Sequence, residues 1–208
     1  LAKEEFLNSA IYKENLVMHD NTSNSFWSQM LLIKIKGTSQ RELLSIFPMI
    51  ETSWKTAKTY FPNALVFTNK SVVSSKSNEV IKSTENINNN EKVFGFIENM
   101  NSKNATVFIY RYSQFSEGIK LISAPNTDKI VIGSSNLKFI TAFINESNNS
   151  FVPVQNEFPV IMMDNHGNKW NVFGEVESGP DKGKVLKPAI GYVASWWAWK
   201  SFYTNFSF

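Results

Sequence analysis

Cysteine is absent from this 208-residue sequence, and histidine occurs only twice. The absence of cysteine excludes disulfides, thiolate nucleophiles and iron–sulfur ligation. With two histidines and no cysteine, the residues that usually hold zinc are also too few. We therefore predict no metal site and no cofactor.

Long apolar runs are missing as well. No stretch of about 18 apolar residues occurs, so we predict no transmembrane helix. No signal peptide is recognisable at the start of the sequence. Because the sequence begins with Leu1 rather than methionine, we expect a processed or truncated front end.

Neither sign of charge dominates, since 21 basic residues face 18 acidic ones and the net charge is +3. There is no dense stripe of lysine and arginine, so we predict no binding to nucleic acid. The hydrolase, metalloprotease and dinucleotide motifs Gly-x-Ser-x-Gly, His-Glu-x-x-His and Gly-x-Gly-x-x-Gly do not occur. These absences favour a protein without catalytic activity.

Aromatic residues are abundant. Hydrophobic residues make up 42% of the chain and aromatic ones 14%, with 17 phenylalanines and six tryptophans. Large rings contribute most to an interior when they are buried. We therefore predict a packed core that is largely aromatic.

An internal repeat is the clearest feature of the sequence. Each copy has an apolar run that ends in Asp-Asn, a polar turn, a tryptophan and, later, a second tryptophan. The equivalent pairs are Asp20 and Asp164, Trp27 and Trp170, and Trp54 and Trp196. Their offsets are 144 (164 − 20), 143 (170 − 27) and 142 (196 − 54) residues. Several matches in one order at nearly one offset indicate a repeated module.

The first copy of the module is incomplete. Residues 91–156 precede the Asp-turn-Trp segment in the second copy, whereas only about 15 residues precede it in the first. We therefore divide the chain into an incomplete first repeat at 1–68, a polar connection at 69–90, and a complete second repeat at 91–208. The connection is rich in serine and asparagine, which is typical of an exposed loop.

The predicted secondary structure consists of many short strands and two short helices. Alternation and turn residues predict the strands, which are Leu16–His19, Phe26–Lys36, Ala64–Thr68, Lys92–Ile97, Ala105–Tyr110, Ile119–Ile122, Lys129–Gly133, Phe139–Ile144, Pro159–Asp164, Lys169–Glu175 and Asn205–Phe208. Helices are predicted over Ser53–Tyr60, ended by Pro62, and over Tyr192–Phe202. The fold class is mainly β (a β-rich α+β fold), with two pseudo-repeats of short-stranded antiparallel sheet or barrel and one short helix each.

A family resemblance rests on the second copy. Its pattern is Asp164, Trp170, Gly174, Gly179-Pro180-x-x-Gly183, Leu186-x-Pro188 and Trp196-x-x-Trp199. The first copy resembles a less complete form of the same pattern, with Asp20, Thr22, Ser25, Trp27-Ser28-Gln29, Thr52-x-Trp54 and Phe61-Pro62-Asn63. It has no Gly-Pro-x-x-Gly element, and Ala57 stands where the second tryptophan would be. This pattern resembles a prokaryotic family known only as domain of unknown function 3179.

The resemblance implies a β-rich repeat fold and an exported protein associated with the cell envelope, in the periplasm or at the cell surface. It implies no known chemistry. Members of the family commonly carry a cysteine-containing stretch ahead of the first Asp-turn-Trp segment, and this sequence has none. An activity that depends on that stretch is therefore not expected here.

The loop Gly179-Pro180-Asp181-Lys182-Gly183 is the first candidate site. Its glycines could let backbone N–H groups bind an anionic ligand. Alternatively, Gly179, Pro180 and Gly183 form a tight turn that needs left-handed backbone angles.

A tryptophan cluster is the second candidate. Trp196 and Trp199 share one face of the predicted helix, and Trp197 points elsewhere, so Trp197 should be partly exposed. Together with Trp170, these rings could bind a sugar, a cation or a partner. The alternative is that they are the core between helix and sheet.

The turns at Asp20 and Asp164 are the third candidate. They contain the two histidines, His19 and His166, but lack the acidic ligands of a calcium loop. We interpret them as turns in which the aspartate accepts backbone hydrogen bonds. Asp164 with Glu175 or Glu177 is a possible carboxylate pair for hydrolysis.

Three functions follow. The preferred one is a non-catalytic binding or interaction module of the cell envelope, with a protein or an envelope glycan as partner. The alternatives are a hydrolase that acts on a glycan or another envelope component, and a subunit of a larger envelope assembly. In the assembly, the tail 202–208 would add a strand to a partner's sheet.

Overall fold

The computed structural model describes residues 6–38, 42–67, 87–100 and 104–208. Within these ranges the chain forms fifteen β-strands and two α-helices. In chain order they are β1 (Phe6–Tyr12), β2 (Asn15–Asp20), β3 (Ser25–Ser28), β4 (Ile33–Lys36), α1 (Trp54–Tyr60), β5 (Lys92–Glu98), β6 (Thr106–Arg111), β7 (Lys120–Ser123), β8 (Lys129–Ser134), β9 (Phe139–Ile144), β10 (Phe151–Pro153), β11 (Val160–Asp164), β12 (Lys169–Asn171), β13 (Val176–Ser178), β14 (Gly191–Ser195), α2 (Trp196–Phe202) and β15 (Phe206–Ser207). The prediction of a mainly β fold with one short helix in each repeat is confirmed.

The strands lie in four separate sheets rather than in one closed barrel. Their orders are β1-β2-β3-β4, β10-β11-β12-β13, β14-β5-β6-β15 and β7-β8-β9. Every pair of neighbouring strands is antiparallel except β15 and β6, which run parallel. Among the described residues, no helix has the length and apolarity needed to cross a membrane.

The two repeats share one local geometry. Met18 lies opposite Trp27 in the β2–β3 hairpin, and Met162 lies opposite Trp170 in the β11–β12 hairpin. In both copies the register shifts at the tryptophan, where β3 pairs with β4 and β12 with β13. A shift at the same point indicates a β-bulge that is part of the module.

Beyond the bulge the offset between the copies is constant at 142 residues. Isolated bridges join Ile33 to Leu43 in the first copy and Glu175 to Val185 in the second. Both helices then begin at a tryptophan that follows a serine, Ser53 or Ser195. The helices α1 and α2 are therefore equivalent residue by residue.

The core is a stack of layers formed mainly by the second repeat, and Met30 of the first repeat is buried in one of them. One cluster packs β8 and β9 against β11 and β12, and it contains Phe139, Ile161 and Trp170. A second packs the other side of β8 and β9 against β5 and β6. A third packs β5 and β6 against α2. Strands β8 and β9 are buried along almost their whole length, as expected for strands covered on both sides.

Two predicted strands proved to be interrupted. The strand predicted over Phe26–Lys36 is β3 and β4 with a turn between them, in which Leu32 has a left-handed φ of 55° and Ser28 Oγ accepts a hydrogen bond from Leu31 N. The strand predicted over Lys169–Glu175 ends at Asn171, whose side-chain oxygen accepts from Phe173 N and Glu175 N. Polar side chains that bond to the local backbone compete with sheet pairing.

Two other assignments need correction. The helix predicted over Tyr192–Phe202 begins only at Trp196, because Gly191–Ser195 pairs with β5 as strand β14. The strand predicted over Ala64–Thr68 is not formed, since residues 64–67 have no strand partner and Thr68 lies outside the described residues.

The predicted polar connection at 69–90 lies mostly outside the described residues. Its last part, residues 87–90, is described and packs on the second repeat. Ile87 is buried in the cluster around α2, and the carbonyl of Asn89 accepts a hydrogen bond from Trp197 N.

Candidate binding groove

Asp164 organises the turn of the β11–β12 hairpin. One of its carboxylate oxygens accepts from His166 N at 2.9 Å and Asn168 N at 3.0 Å. The other accepts from Asn168 Nδ2 and Trp170 Nε1, both at 3.0 Å. Burial by itself raises the pKa of this carboxyl, but the hydrogen bonds outweigh it and hold the pKa below its ordinary value. Asp164 therefore holds the hairpin and the buried tryptophan in place.

Asp20 plays the same part in the first copy with a smaller set of partners. Its carboxylate accepts from Thr22 N, Ser23 N and Ser23 Oγ. The hydrogen bond from the Ser23 side chain is the main cause of its lowered pKa. Trp27, the equivalent of Trp170, has a buried Nε1 without a hydrogen-bond partner. The turns at Asp20 and Asp164 thus have the backbone-bonded form predicted for them.

The Gly-Pro loop folds back onto the Asp164 turn. Asp181 N donates to Asn168 Oδ1 at 2.9 Å, and Asn168 Nδ2 donates to Asp181 Oδ2 at 2.9 Å. Gly179 has a φ of +125°, and a Cβ there would lie 2.7 Å from both Cα and Oδ1 of Asn168. Gly179 is therefore required by close packing, whereas Gly183, at φ +88°, has no atom near its Cβ position.

We expect Gly179→Ala to destabilise the protein by about 2 kcal/mol or more, because it adds a clash to an unfavourable backbone angle. Gly183→Ala is the matched control and should cost only about 1 kcal/mol, since it changes the backbone preference alone. Urea unfolding of the two variants measures the difference. Equal losses would contradict the packing role of Gly179.

The tryptophan cluster lies largely in the interior. Trp170, Trp196 and Trp199 are buried, and Trp197 is half-buried, as the helical spacing predicted. Trp199 stacks on Tyr192 with ring centroids 4.5 Å apart, and its ring fills the space above Gly95. Three of the four rings therefore contribute to packing in this structure, and a binding role for them stays a prediction.

A groove with a volume of about 740 Å³ lies between the two repeats. Strand β9 and Phe94 of β5 contribute to its lining. Its lining is mostly apolar and consists of Met18, Gln29, Met30, Leu32, residues 44–51, Phe94, residues 140–143, Val172, Phe173, Pro188, Ala189 and residues 191–194.

Both repeats contribute equivalent positions to the groove. Six pairs of lining residues are separated by the same 142 positions (172 − 30 for the first pair). They are Met30 and Val172, Ile46 and Pro188, Phe47 and Ala189, Met49 and Gly191, Ile50 and Tyr192, and Glu51 and Val193. The groove is therefore built by the repeat itself, at the place where the two copies meet.

Each repeat makes hydrogen bonds to backbone carbonyl oxygens of the other. The hydroxyls of Tyr192 and Tyr203 both donate to the carbonyl oxygen of Met30. Burial raises the pKa of Tyr192 well above its ordinary value and that of Tyr203 to about 12. Both phenols therefore keep their donor hydrogen at neutral pH.

Helix α1 of the first repeat and the residues beside it also contact the second repeat. The hydroxyls of Thr52 and Thr56 donate to the carbonyl oxygen of Leu137 at 2.6 and 3.0 Å. Phe61 packs against Phe173, with ring centroids 5.9 Å apart. These hydrogen bonds and ring contacts join the two repeats that line the groove.

A model of the family described as "Protein of unknown function (DUF3179)" matches residues 6–206. The chain belongs to this family. No curated protein and no solved structure matches it significantly. The match spans both repeats, so the incomplete first copy is part of the DUF3179 segment and the groove lies wholly within it.

The sequence offered only a weak signal for the groove of this DUF3179 chain. Residues 43–50, Leu-Leu-Ser-Ile-Phe-Pro-Met-Ile, are strongly apolar yet show neither the alternation of a strand nor the spacing of a helix. An apolar segment without the pattern of a helix or strand indicates an apolar surface that contacts a ligand or a partner. Its counterpart in the second copy is the stretch that leads into β14.

The possible carboxylate pair of Asp164 with Glu175 or Glu177 stays a prediction. Both oxygens of Asp164 are occupied by hydrogen bonds to the turn, and Glu177 accepts from Asn171 Nδ2 at 3.1 Å. Among the described residues, no three metal-ligating side chains lie together. The groove is therefore the best candidate site that the structure offers.

Proposed function

We propose that the chain is a non-catalytic binding module of the cell envelope, and that the groove between its repeats holds an apolar ligand. The observation that carries this proposal is the lining of the groove. Of its residues, only Gln29, Ser45, Glu51 and Thr141 have polar side chains, apart from the tyrosine hydroxyl. The envelope location rests on the family resemblance alone.

The size of the groove suits a small molecule or an acyl chain. Ligand sites usually have volumes of about 300 to 1,000 Å³ and a mainly apolar lining with a few polar groups. Each square ångström of apolar surface removed from water contributes about 25 cal/mol. A ligand of matching length therefore gains affinity mainly from burial.

Three methionines add adaptability to the lining. Met18, Met30 and Met49 come from different parts of the first repeat. Their unbranched side chains repack around ligands of different shape at little cost. This composition favours recognition of an apolar class over recognition of one hydrogen-bonding pattern, as a glycan would need.

Titration of the protein with an environment-sensitive apolar dye, followed by displacement with a long-chain fatty acid, tests the proposal. We expect saturable binding that Ile46→Asp weakens by about tenfold or more. A bound ligand would cover the new carboxylate, and removing that charge from water is unfavourable. Val152→Asp is the matched control, since Val152 is a comparably exposed apolar residue outside the groove.

Two results would contradict the binding proposal. One is the absence of saturable binding, and the other is equal loss of affinity in Ile46→Asp and Val152→Asp. Turnover of an envelope glycan by the wild-type protein would favour the hydrolase instead.

A further inference from the structure

In the second repeat, a two-stranded hairpin covers the strand and helix that end the module. Strand β14 pairs antiparallel with β5, and β15 pairs parallel with β6. Trp196, at the start of α2, packs edge-on against Phe206 and Phe208. The hairpin β5–β6 thus gives this end of the repeat both its strand partners and its apolar cover.

In the first repeat the equivalent residues are not covered by a hairpin from the described part of the chain. Residues 49–53 correspond to β14 and residues 64–65 to β15, yet neither segment is paired with a strand in the structure. Met49 is 80% exposed and Trp54 64% exposed, whereas Trp196 is 4% exposed. Leu65 is fully exposed.

Exposed apolar residues are concentrated at this end of the first repeat. Nine of the fifteen large hydrophobic residues that are exposed in the described part of the chain lie between positions 43 and 67. They are Leu43, Ile46, Phe47, Met49, Trp54, Tyr60, Leu65, Val66 and Phe67. Exposed apolar residues in such number within one short segment favour an interaction site.

The backbone of residues 48–53 has not formed a strand pair. Residues 48–53 belong to no helix or strand, and within the described part of the chain their N–H groups pair in no sheet. An extended segment with free backbone groups is a template for strand addition. The internal repeat indicates what would add to it, because the matching segment of the second copy is already occupied.

We propose that the first-repeat face, defined as residues 47–54 and 64–67, docks an antiparallel β-hairpin of the β5–β6 type. One strand of the hairpin runs antiparallel to residues 49–53, and the other runs parallel to residues 64–65. The side of the hairpin that covers Trp54 carries bulky apolar residues at alternate positions, as Val93, Ile97, Val107 and Ile109 do in the second repeat.

One position distinguishes the two faces. In the second repeat β5 carries Gly95, because a Cβ there would lie 2.6 Å from the ring of Trp199. The equivalent of Trp199 in the first repeat is Ala57, which leaves room for a larger side chain. The first-repeat face therefore accepts a hairpin with leucine at the Gly95 position, which the second repeat cannot accommodate.

The test is a fusion in which a second copy of residues 91–112 is joined to the front of the full chain through a long Gly/Ser linker. Since the chain has no cysteine, Met49→Cys, Leu65→Cys and Val152→Cys each introduce a single thiol. Maleimide labelling rates then report which surfaces are covered. Val152 lies outside the face and is the control position.

We expect the fused hairpin to slow labelling at Met49→Cys and Leu65→Cys by about tenfold or more, since the linker holds the hairpin at a high effective concentration. Labelling at Val152→Cys should not change. Val107→Pro in the fused copy should restore fast labelling, because proline removes a pairing N–H. Gly95→Leu in the fused copy should slow labelling further.

Unchanged labelling at Met49→Cys and Leu65→Cys in the fusion would overturn the proposal. So would labelling of the unfused chain that slows with rising protein concentration at these two positions, because a second copy would then cover the face. Loss of protection by Gly95→Leu would contradict the equivalence of Ala57 and Trp199. Met49 also lines the groove, but Leu65 does not, so protection of Leu65→Cys separates hairpin docking from ligand binding in the groove.

Discussion

Replacing Trp196 by alanine is expected to lower the free energy of unfolding by about 3 to 5 kcal/mol, the usual cost of removing a large buried ring. Trp196 is 4% exposed and packs against Phe206 and Phe208 in the cluster that joins α2 to β5 and β6. Alanine would leave a cavity that the surrounding strands cannot close, because β14 and β15 are held by pairing to β5 and β6.

The control for this variant is supplied by the repeat itself. Trp54 has the same place at the start of its helix, but 64% of its surface is exposed. Trp54→Ala should therefore change the free energy of unfolding by only about 0.5 kcal/mol. Urea unfolding of both variants, with the slope compared to that of the wild type, measures the two costs. Similar losses would show that Trp54 is buried in solution and would contradict the described exposure of the first repeat.

Local sequence signals predicted the two aspartate turns and the bounds of helix α1 well. The turns at Asp20 and Asp164 were interpreted correctly because the bonding of an aspartate to the next N–H groups needs no distant partner. Helix α1 lies within its predicted range, since Ser53 caps its start and Pro62 follows its end. The repeat was visible because both copies keep these local features.

The errors arose where distant pairing decides the structure. Residues 192–195 look helical by sequence, but they lie beside β5, about 100 residues earlier in the chain, and adopt its extended conformation. The groove could not be predicted because it depends on how one repeat sits against the other, through contacts such as those of Tyr203 with Met30. The difference in exposure between Trp196 and Trp54 has the same origin, since among the described residues a hairpin covers Trp196 and none covers Trp54.

Replacing Asp164 by alanine is the second large effect that we expect, a loss of about 3 kcal/mol or more. The side chain accepts hydrogen bonds from two backbone N–H groups, from Asn168 Nδ2 and from the indole of Trp170. Each buried donor left without a partner costs about 1 to 3 kcal/mol, and Asn168 and Trp170 are both buried. Urea unfolding at neutral pH measures the loss.

Asp181→Ala is the matched control, because Asp181 accepts from the same Asn168 amide but is exposed. This variant should lower the free energy of unfolding by less than about 1 kcal/mol.

The dependence on pH separates the carboxylate's hydrogen bonds from simple packing. Because the pKa of Asp164 is lowered from its ordinary value of 3.8 in the folded protein, its contribution is fully present above that value and is lost as the pH falls through the lower folded pKa. The difference in unfolding free energy between wild type and Asp164→Ala should therefore shrink as the pH is lowered from about 5 to below 3.8. A difference that stayed constant over this range would mean that Asp164 stabilises the hairpin by filling space. In that case the four hydrogen bonds to its carboxylate would contribute little, and the matching turn at Asp20 would need the same reinterpretation.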